Sequence, residues 1–277
     1  MKIFGDIISS RNNPTVKWAA SLATKKGRDA LSSFIAEGEK LSIEALSAHL
    51  PVTHIFISEK KQGELMARLA DFLRDPAYSD TQLITLSESA FEKISTEMSP
   101  QGIISVIKYL DFFREIDIIY KEEFFVLPDE RIIILSSVRD PGNLGAVIRS
   151  AAAFGVDHVI LTADSADIYN PKTVRSAMGS LFRVKVTTVS DICACVAYLR
   201  ECGRRVFAAE LSENALSVNE VGLLPTDAVI IGNEGHGIPK EISDASTASA
   251  YIPISKKTES LNAAVAAALF MWEQSKK

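Results

Sequence analysis

The sequence is poor in the features that mark secreted, membrane and metal-binding proteins. Its 277 residues include three cysteines and four histidines. Cys193, Cys195 and Cys202 fall within one predicted helix with no histidine nearby, which favours reduced thiols and predicts no zinc site. No apolar run is long enough to span a bilayer, and residues 1–13 lack the apolar core of a signal peptide. We therefore expect a cytoplasmic protein without a membrane segment.

The net charge of −5 argues at first against a nucleic-acid partner, but the excess of acid is local. Residues 111–130 hold seven acidic and two basic side chains, whereas the residues before and after them are each balanced. Residues 1–40 carry seven basic against four acidic groups. A local basic face is therefore compatible with the acidic total.

Apolar runs typical of strands alternate with helix-forming segments along most of the chain. Residues 8–30 predict one helix that starts near Pro14, and residues 33–109 then predict a small α/β domain. From residue 131 onward the same alternation returns. We expect domains at 1–110 and 131–277, joined by an acidic linker or insertion at 111–130.

The first candidate motif places an arginine in a helix of small residues. Residues 139–155, RDPGNLGAVIRSAAAFG, follow the apolar run 132–138, which predicts a buried strand. Strand, tight turn and helix form a site at the strand's carboxyl end in α/β folds. Arg149 has five donors and no acceptor, so it requires an anion, a carbonyl or a substrate, unless it is an ordinary solvated helix residue.

Two later motifs each have a plain structural explanation when taken alone. Residues 232–237, GNEGHG, follow an apolar run, but they lack the GxGxxG spacing of a dinucleotide fingerprint. Residues 252–262, IPISKKTESLN, place Ser260 and Asn262 at the start of an apolar helix, where N-capping would account for them. Their order and spacing together need a further explanation.

Taken together, the three stretches resemble the SpoU (TrmH-type) branch of the SPOUT methyltransferases, which transfer a methyl group from S-adenosylmethionine to a ribose 2′-hydroxyl of RNA. The family patterns NxGAxxRSAxxFG, GxEGxG and IPxxxxxxSLNxxVA match residues 143–155, 232–237 and 252–266, here called motifs 1, 2 and 3. The resemblance implies an α/β domain with a mostly parallel sheet and a deep trefoil knot. It also implies a homodimer with the site at the subunit interface. No metal is required by the reaction or suggested by the residues.

The resemblance also implies a set of site residues. The backbones at Gly232, Ile252 and Leu261 would surround S-adenosylmethionine, and Arg149 matches the family's catalytic arginine. The other polar site positions are Asn143, Glu234, Ser260 and Asn262. Because a guanidinium stays protonated in nearly every protein site, we expect Arg149 to orient and to stabilise charge. Lys256 stands where motif 3 usually has glycine, which removes no catalytic group.

The N-terminal residues resemble the ribosomal-protein-like RNA-binding domain of many rRNA-modifying members. On that resemblance the phosphate contacts are expected at Arg11, Lys25, Lys26 and Arg28, with a solvated helix end as the alternative. Arg175, between motifs 1 and 2, is expected to contact a phosphate or ribose. By analogy the substrate is rRNA rather than tRNA, and within rRNA the large subunit is favoured.

Two other classes of function remain at this stage. A non-catalytic RNA-binding or assembly protein would keep the basic face without cofactor affinity, and the intact Arg149, Glu234 and Asn262 weigh against it. A nucleotide-dependent small-molecule enzyme would need a dinucleotide or phosphate loop, and the sequence has neither.

Overall fold

A computed structural model of the protein describes residues 1–111, 113–116 and 126–276. The strands are β1 (Lys2–Ile8), β2 (Ser33–Glu37), β3 (Val52–Ser58), β4 (Gln82–Leu86), β5 (Ile103–Lys108), β6 (Phe113–Ile116), β7 (Ile132–Leu135), β8 (His158–Thr162), β9 (Lys185–Val189), β10 (Val206–Ala209), β11 (Leu216–Ser217), β12 (Ala228–Ile231) and β13 (Ala248–Tyr251). The helices are α1 (Pro14–Ser21), α2 (Lys25–Leu31), α3 (Glu39–Ser47), α4 (Gln62–Arg68), α5 (Ala70–Arg74), α6 (Glu88–Ile94), α7 (Pro141–Phe154), α8 (Pro171–Ala177), α9 (Ile192–Glu201), α10 (Val218–Val221), α11 (Lys240–Ala245) and α12 (Ala263–Ser275). No helix among the described residues is long and apolar enough to cross a membrane.

The chain divides into two compact units. The N-terminal unit contains Met1–Leu110 together with Asp167–Phe182, and the C-terminal unit contains the rest. The second segment of the N-terminal unit lies between β8 and β9, inside the span 131–277 that the sequence assigns to the methyltransferase domain. The two units are therefore not simply consecutive along the chain.

The N-terminal unit is built on a mixed sheet with the strand order β1-β4-β3-β5-β2. Strands β1, β4 and β3 are parallel, and β5 runs antiparallel to both β3 and β2. The expected single helix over residues 8–30 was wrong. Residues 2–8 form edge strand β1, and two helices follow, because Thr24 Oγ1 accepts a hydrogen bond from Gly27 N (3.1 Å) and caps α2.

The segment Asp167–Phe182 is held to the N-terminal unit by polar and aromatic contacts. The ring of Tyr169 stacks on Tyr109 with 4.1 Å between centroids, and its hydroxyl accepts a hydrogen bond from Leu110 N (2.7 Å). Asp167 accepts a hydrogen bond from the buried guanidinium of Arg28 at 2.5 Å. Buried side chains that are hydrogen-bonded across the unit in this way fix the segment in place.

The C-terminal unit contains a sheet in which every described pairing is parallel, in the order β11-β13-β10-β12-β7-β8-β9-β6. The predicted α/β fold with a mostly parallel sheet is thus confirmed. All four residues of β7 are fully buried, as expected for a strand covered on both faces. Helices α9 and α11 pack on one face of this sheet, and α12 packs against α7.

The acidic stretch 111–130 is described only in part, and residues 112 and 117–125 of the expected linker lie outside the described residues. Phe113–Ile116 pairs with β9 as an edge strand. The end of the stretch is fastened by Arg204, whose guanidinium donates to the carbonyl oxygens of Glu130, Leu127, Pro128 and Thr226 at 2.5–3.1 Å.

Candidate active site

The order of the strands locates a crevice at the carboxyl edge of the parallel sheet. From β7 the chain proceeds to β8 and β9 on one side, and β12 lies on the other side of β7. A ligand site of an open α/β sheet lies where the strand order reverses, outside the carboxyl ends of the strands. Leu135 of β7 lies opposite Ile231 of β12, so the segments that lead from these strands into motifs 1 and 2 begin side by side.

Motif 1 is positioned by the capped start of α7. The side chain of Asp140 accepts a hydrogen bond from Asn143 N at 2.8 Å, and Pro141 occupies the first helical turn. The helix therefore begins inside the Asp-Pro-Gly-Asn turn rather than after it. Gly155 ends it at φ +70°, a left-handed conformation that suits glycine.

Asn143 connects the three motifs through its two amide atoms. Its Nδ2 donates to Glu234 Oε1 of motif 2 at 2.5 Å, and its Oδ1 accepts from Asn262 Nδ2 of motif 3 at 2.9 Å. Residues separated by 91 and 119 positions in the chain thus meet at one point. We call this group the amide relay.

The direction of the hydrogen bonds in the amide relay follows from the helix start. Asn262 Oδ1 accepts from Ala264 N (2.9 Å) and Val265 N (3.3 Å), so it caps α12. Its Nδ2 must then face Asn143, whose oxygen accepts and whose nitrogen points to the Glu234 carboxylate. Asn262 is thus both the N-cap that the sequence suggested and a member of the site.

Motif 2 is a tight loop that Gly232 permits. A side chain there would place a Cβ 2.5 Å from the carbonyl carbon of Gly237, across the loop. The two ends of the loop are joined by Asn233 N to Gly237 O (3.0 Å) and by the reciprocal bond (2.9 Å). Gly232 is therefore required by the shape of the loop itself.

Sequence reasoning missed Asn233, which ties motif 2 to the turn before motif 1. Asn233 Nδ2 donates to the carbonyl of Ser137 at 2.7 Å, and Thr162 Oγ1 accepts from Ser137 N at 2.8 Å. Ser137 has φ +57°, a conformation that costs a non-glycine residue about 1–2 kcal/mol. The side chains of Asn233 and Thr162 thus hold a strained turn from its two sides. In the sequence, the only signal of this turn was its position directly after β7.

A neighbouring acid reinforces the same turn. Thr162 Oγ1 donates to Asp164 Oδ1 (2.7 Å), and Arg139 Nη2 lies 2.9 Å from Asp164 Oδ2. Burial alone would raise the pKa of Asp164, but the hydrogen bonds from Arg139, Ser137 and Thr162 lower it to about 2. Asp164 is therefore ionised at neutral pH and holds Arg139, which lies just before motif 1.

Arg149 stands apart from the amide relay. It is exposed on α7, and its guanidinium has no hydrogen bond or ion pair to any residue that the structure describes. Its helical neighbours at three and four positions are Gly145, Ala146, Ala152 and Ala153, which are too short to cover it. The side chain is open to an incoming anion.

The remaining predicted positions of motif 3 lie along an exposed loop. Ile252 and Leu261 are half-buried and Ile254 is 39% exposed, so the loop presents aliphatic surface. Ser260 is exposed and makes no hydrogen bond within the described residues. Apolar walls next to a few converging polar groups suit a nucleoside ligand such as S-adenosylmethionine, so these residues fit the expected cofactor.

The N-terminal positions divide into exposed and occupied side chains. Arg11, Lys25 and Lys26 are exposed. Arg28 is 2% exposed, and its Nη1 donates to the carbonyls of Leu22 and Ala23 at 3.0 Å each. The expected phosphate contact at Arg28 is therefore corrected, because the guanidinium is consumed inside the unit. Arg175, on α8 of the N-terminal unit, is paired with Glu97.

Comparison with known proteins gives this arrangement a family. The model of the SpoU rRNA methylase family matches residues 130–272, and that of the MRM3-like substrate binding domain matches residues 13–105. The chain is 32% identical to the 23S rRNA (guanosine(2553)-2′-O)-methyltransferase RlmP of Bacillus subtilis, over 96% of this chain and 97% of that protein. It is 26% identical to a 23S rRNA (uridine(2479)-2′-O)-methyltransferase of Streptomyces viridochromogenes, over 96% and 90%.

A solved structure agrees with both the fold and the ligand class. The AdoMet-bound rRNA methyltransferase from Sinorhizobium meliloti superposes with a TM-score of 0.80 at 26% identity, over 99% of this chain and 98% of that one. The predicted resemblance is confirmed along almost the whole length of the chain. This protein belongs to the SpoU rRNA methylase family.

Proposed function

We propose that the protein transfers a methyl group from S-adenosylmethionine to a ribose 2′-hydroxyl of large-subunit rRNA. The observation that carries this proposal is the amide relay, which joins the polar positions of all three motifs at the carboxyl edge of a parallel sheet. Two relatives with full-length similarity are named as 2′-O-methyltransferases of 23S rRNA, which supports the large subunit as the source of the substrate.

In this proposal, S-adenosylmethionine supplies an electrophilic sulfonium methyl group. Gly232, Ile252 and Leu261 line its site, and the tight motif 2 loop keeps Glu234 in place. The amide relay fixes the direction of the Glu234 carboxylate and of the Asn143 amide, so that both are oriented before substrate arrives. Preorganised polar groups of this kind lower the barrier without further rearrangement. Ser260, exposed at the same edge, contacts the substrate.

Arg149 holds the reacting ribose through its adjacent phosphate and the 2′-oxygen. A guanidinium presents a rigid fork that matches phosphate oxygens and stays charged. It therefore positions the nucleophile and balances charge, while the sulfonium leaves as the neutral thioether and the 2′-hydroxyl proton passes to water or to a phosphate. Arg149→Lys keeps the charge but loses the fork, so we expect kcat/KM to fall by at least about tenfold. If Arg149→Lys kept nearly wild-type activity and an unchanged pH–rate profile, the guanidinium would have no special role in positioning the ribose.

The proposal includes a homodimer, a trefoil knot and a cytoplasmic location. Val265, Leu269 and Trp272 are 49%, 38% and 48% exposed and recur at four- and three-residue intervals on α12, which supports a self-complementary contact there. The knot would comprise the motif 2 and motif 3 loops. Residues 1–110 would bind RNA, with 111–130 as connecting segment and 131–277 as methyltransferase domain.

Methyl transfer can be measured directly. Purified protein is incubated with tritiated S-adenosylmethionine and 23S rRNA, 16S rRNA or tRNA in parallel, and labelled positions are mapped by resistance to alkaline cleavage. We expect label at one ribose of 23S rRNA. Label on tRNA alone would show that the substrate is tRNA and not rRNA. RNA binding without label on any RNA would favour a non-catalytic role. Glu213→Gln, exposed and outside all three motifs, serves as a handling control.

A further inference from the structure

The N-terminal unit carries a cleft of about 570 Å³ lined by Arg11, Asn12, Lys17, Ala20, Ser21 and Lys93. Three of these six residues are cations, and none is acidic. They come from three parts of the chain, since Arg11 precedes α1, Lys17 lies on α1 and Lys93 lies on α6. Lys17 belongs to the basic group of residues 1–40, whereas Lys93 carried no functional expectation from the sequence.

The cleft is a built feature of the unit. Val16 and Ala19 of α1 and Phe91 and Ile94 of α6 are buried in the same core, so α1 and α6 pack together. Lys17 and Lys93 each neighbour one of these buried positions along their helix and are themselves exposed, beside the helix–helix seam.

The loop that carries Arg11 is fastened to the start of α6. Ser87 N donates to Ile8 O at 3.1 Å, and Ser87 Oγ donates to Ser9 O at 3.3 Å. Ser87 also caps α6, accepting from Ala90 N at 3.4 Å. The segment before Arg11 and the helix of Lys93 are thus held by one residue, which fixes the rim of the cleft.

The cations of the cleft differ from several others in the unit. Among the described residues, the side chains of Arg11, Lys17 and Lys93 form no ion pair or hydrogen bond. Several exposed lysines elsewhere are paired with carboxylates, namely Lys2 with Asp80, Lys60 with Glu88 and Lys61 with Glu64. Three unpaired like charges around a concave surface create a positive potential that an anion would relieve.

We propose that this cleft binds the phosphodiester backbone of the RNA substrate through Arg11, Lys17 and Lys93. The inference rests on the proposed function. The cleft is open, and three cationic side chains, an asparagine and a serine line it, which suits a backbone phosphate better than an apolar ligand. It also lies within or beside residues 13–105, which match a substrate-binding domain. Because Arg28 is buried, α2 offers phosphate only Lys25 and Lys26, whereas the cleft offers three cations from separate parts of the chain.

Phosphate contacts predict a specific salt dependence. Each phosphate neutralised by a cation contributes about 0.7–0.9 to the slope of log K against log salt. Three contacts therefore predict that the triple variant Arg11→Ala/Lys17→Ala/Lys93→Ala lowers the slope by about 2–3. The effect should be independent of sequence, because phosphate contacts position the RNA without reading its bases.

The experiment measures binding of radiolabelled 23S rRNA by filter retention between about 50 and 200 mM KCl. The control is Lys2→Ala/Lys60→Ala/Lys61→Ala, which removes the same charge from paired positions of the same unit. S-adenosylmethionine affinity, the melting temperature and the KM for rRNA are measured for both variants. We expect only the cleft variant to show a smaller salt slope of rRNA binding and a higher KM for rRNA. Its S-adenosylmethionine affinity and melting temperature should be unchanged.

Each other outcome overturns a defined claim. If both variants keep the wild-type slope and KM while wild type methylates rRNA, the cleft proposal fails and the proposed function stands. An equal loss of salt slope in both variants also overturns the cleft proposal, because the effect would then come from the net charge of the unit and not from the cleft. If wild type neither binds nor methylates rRNA, the proposed function fails and the cleft proposal with it. Binding of an acidic peptide in preference to RNA would likewise overturn the assignment.

Discussion

Asn262 Nδ2 lies 2.9 Å from Asn143 Oδ1, and this single hydrogen bond joins the start of α12 to the first turn of α7. Because Asn262 also caps α12, any shift of that helix changes the position of Asn143 and, through it, of Glu234. The packing of α12 against α7 reinforces the connection. The polar site is thus coupled to the same helix that carries the proposed dimer contact.

The strained turn at Ser137 predicts an unusual response to glycine. Ser137→Gly should be more stable than Ser137→Ala by up to about 1 kcal/mol, because both lose the hydroxyl contact with Asp164 but only glycine adopts φ +57° without steric cost. Asn233→Ala should destabilise and lower kcat, because it frees the Ser137 carbonyl. Adding Ser137→Gly to Asn233→Ala should then restore part of the loss. Urea unfolding and methyl-transfer rates measure both effects, and a Ser137→Gly variant less stable than Ser137→Ala would contradict the strain.

The buried guanidinium of Arg28 predicts a folding role. Arg28→Ala should lower the free energy of unfolding by about 3–5 kcal/mol, because it leaves buried carbonyls and Asp167 without their donor. Lys26→Ala, two residues earlier and exposed, should change it by less than about 0.5 kcal/mol. Denaturant unfolding compares the two. An Arg28→Ala protein as stable as wild type but weaker in RNA binding would restore the surface role.

A buried acid–histidine pair predicts the response to pH. Burial lowers the pKa of His158, so its imidazole is neutral near pH 7. Burial alone would raise the pKa of Glu130, but the hydrogen bond with His158 and the Lys185 amine 3.3 Å away lower it to about 2. Glu130 therefore adds stability above its unfolded pKa of about 4.5, and this stability is lost as pH falls from there towards 2.

Replacing Glu130 tests that sign. Glu130→Gln should be less stable than wild type at pH 7, and its stability should fall less steeply between pH 4.5 and 2. Glu213→Gln, at an exposed position of the same unit, is the matched control. Urea unfolding across this pH range gives the slopes. Parallel slopes for wild type and Glu130→Gln would show that Glu130 does not carry the acid sensitivity.

The exposed apolar stripe of α12 predicts the oligomeric state. Leu269→Glu places a charge in the proposed contact, so sedimentation velocity should show a monomer where wild type shows a dimer. Leu211→Glu is the control, since Leu211 is 82% exposed elsewhere in the same unit. Because Leu269 is already exposed, the monomer should remain folded. Equal sedimentation of both variants and wild type would move the interface away from α12.

Much of the fold follows from the sequence because buried parallel strands are continuous apolar runs. The apolar run before motif 1 forms buried strand β7, and the one before motif 2 forms buried strand β12. Strand β1 was missed because almost all its residues are exposed, which removes the burial pattern. The break between α1 and α2 was missed although Thr24 signals a cap, since helix formers continue on both sides.

The site was predictable as a set of residues but not as an arrangement. The three motifs indicated Asn143, Glu234 and Asn262, yet only the fold shows that Asn143 contacts both others. Arg28 resembled its basic neighbours in sequence, because its partner Asp167 lies 139 residues away. Asn233 and Lys93 gave no signal of their own, since their roles depend on side chains from distant segments.

The most direct test of the amide relay is a double-mutant cycle in kcat/KM between Asn143→Ala and Glu234→Ala. If the Asn143–Glu234 hydrogen bond orients the site, each single variant loses about 1.5–3 kcal/mol of transition-state stabilisation, and the double variant loses little more than either. The predicted coupling energy is therefore at least about 1 kcal/mol. Additive losses, with a coupling energy near zero, would contradict a site in which the three motifs act through Asn143.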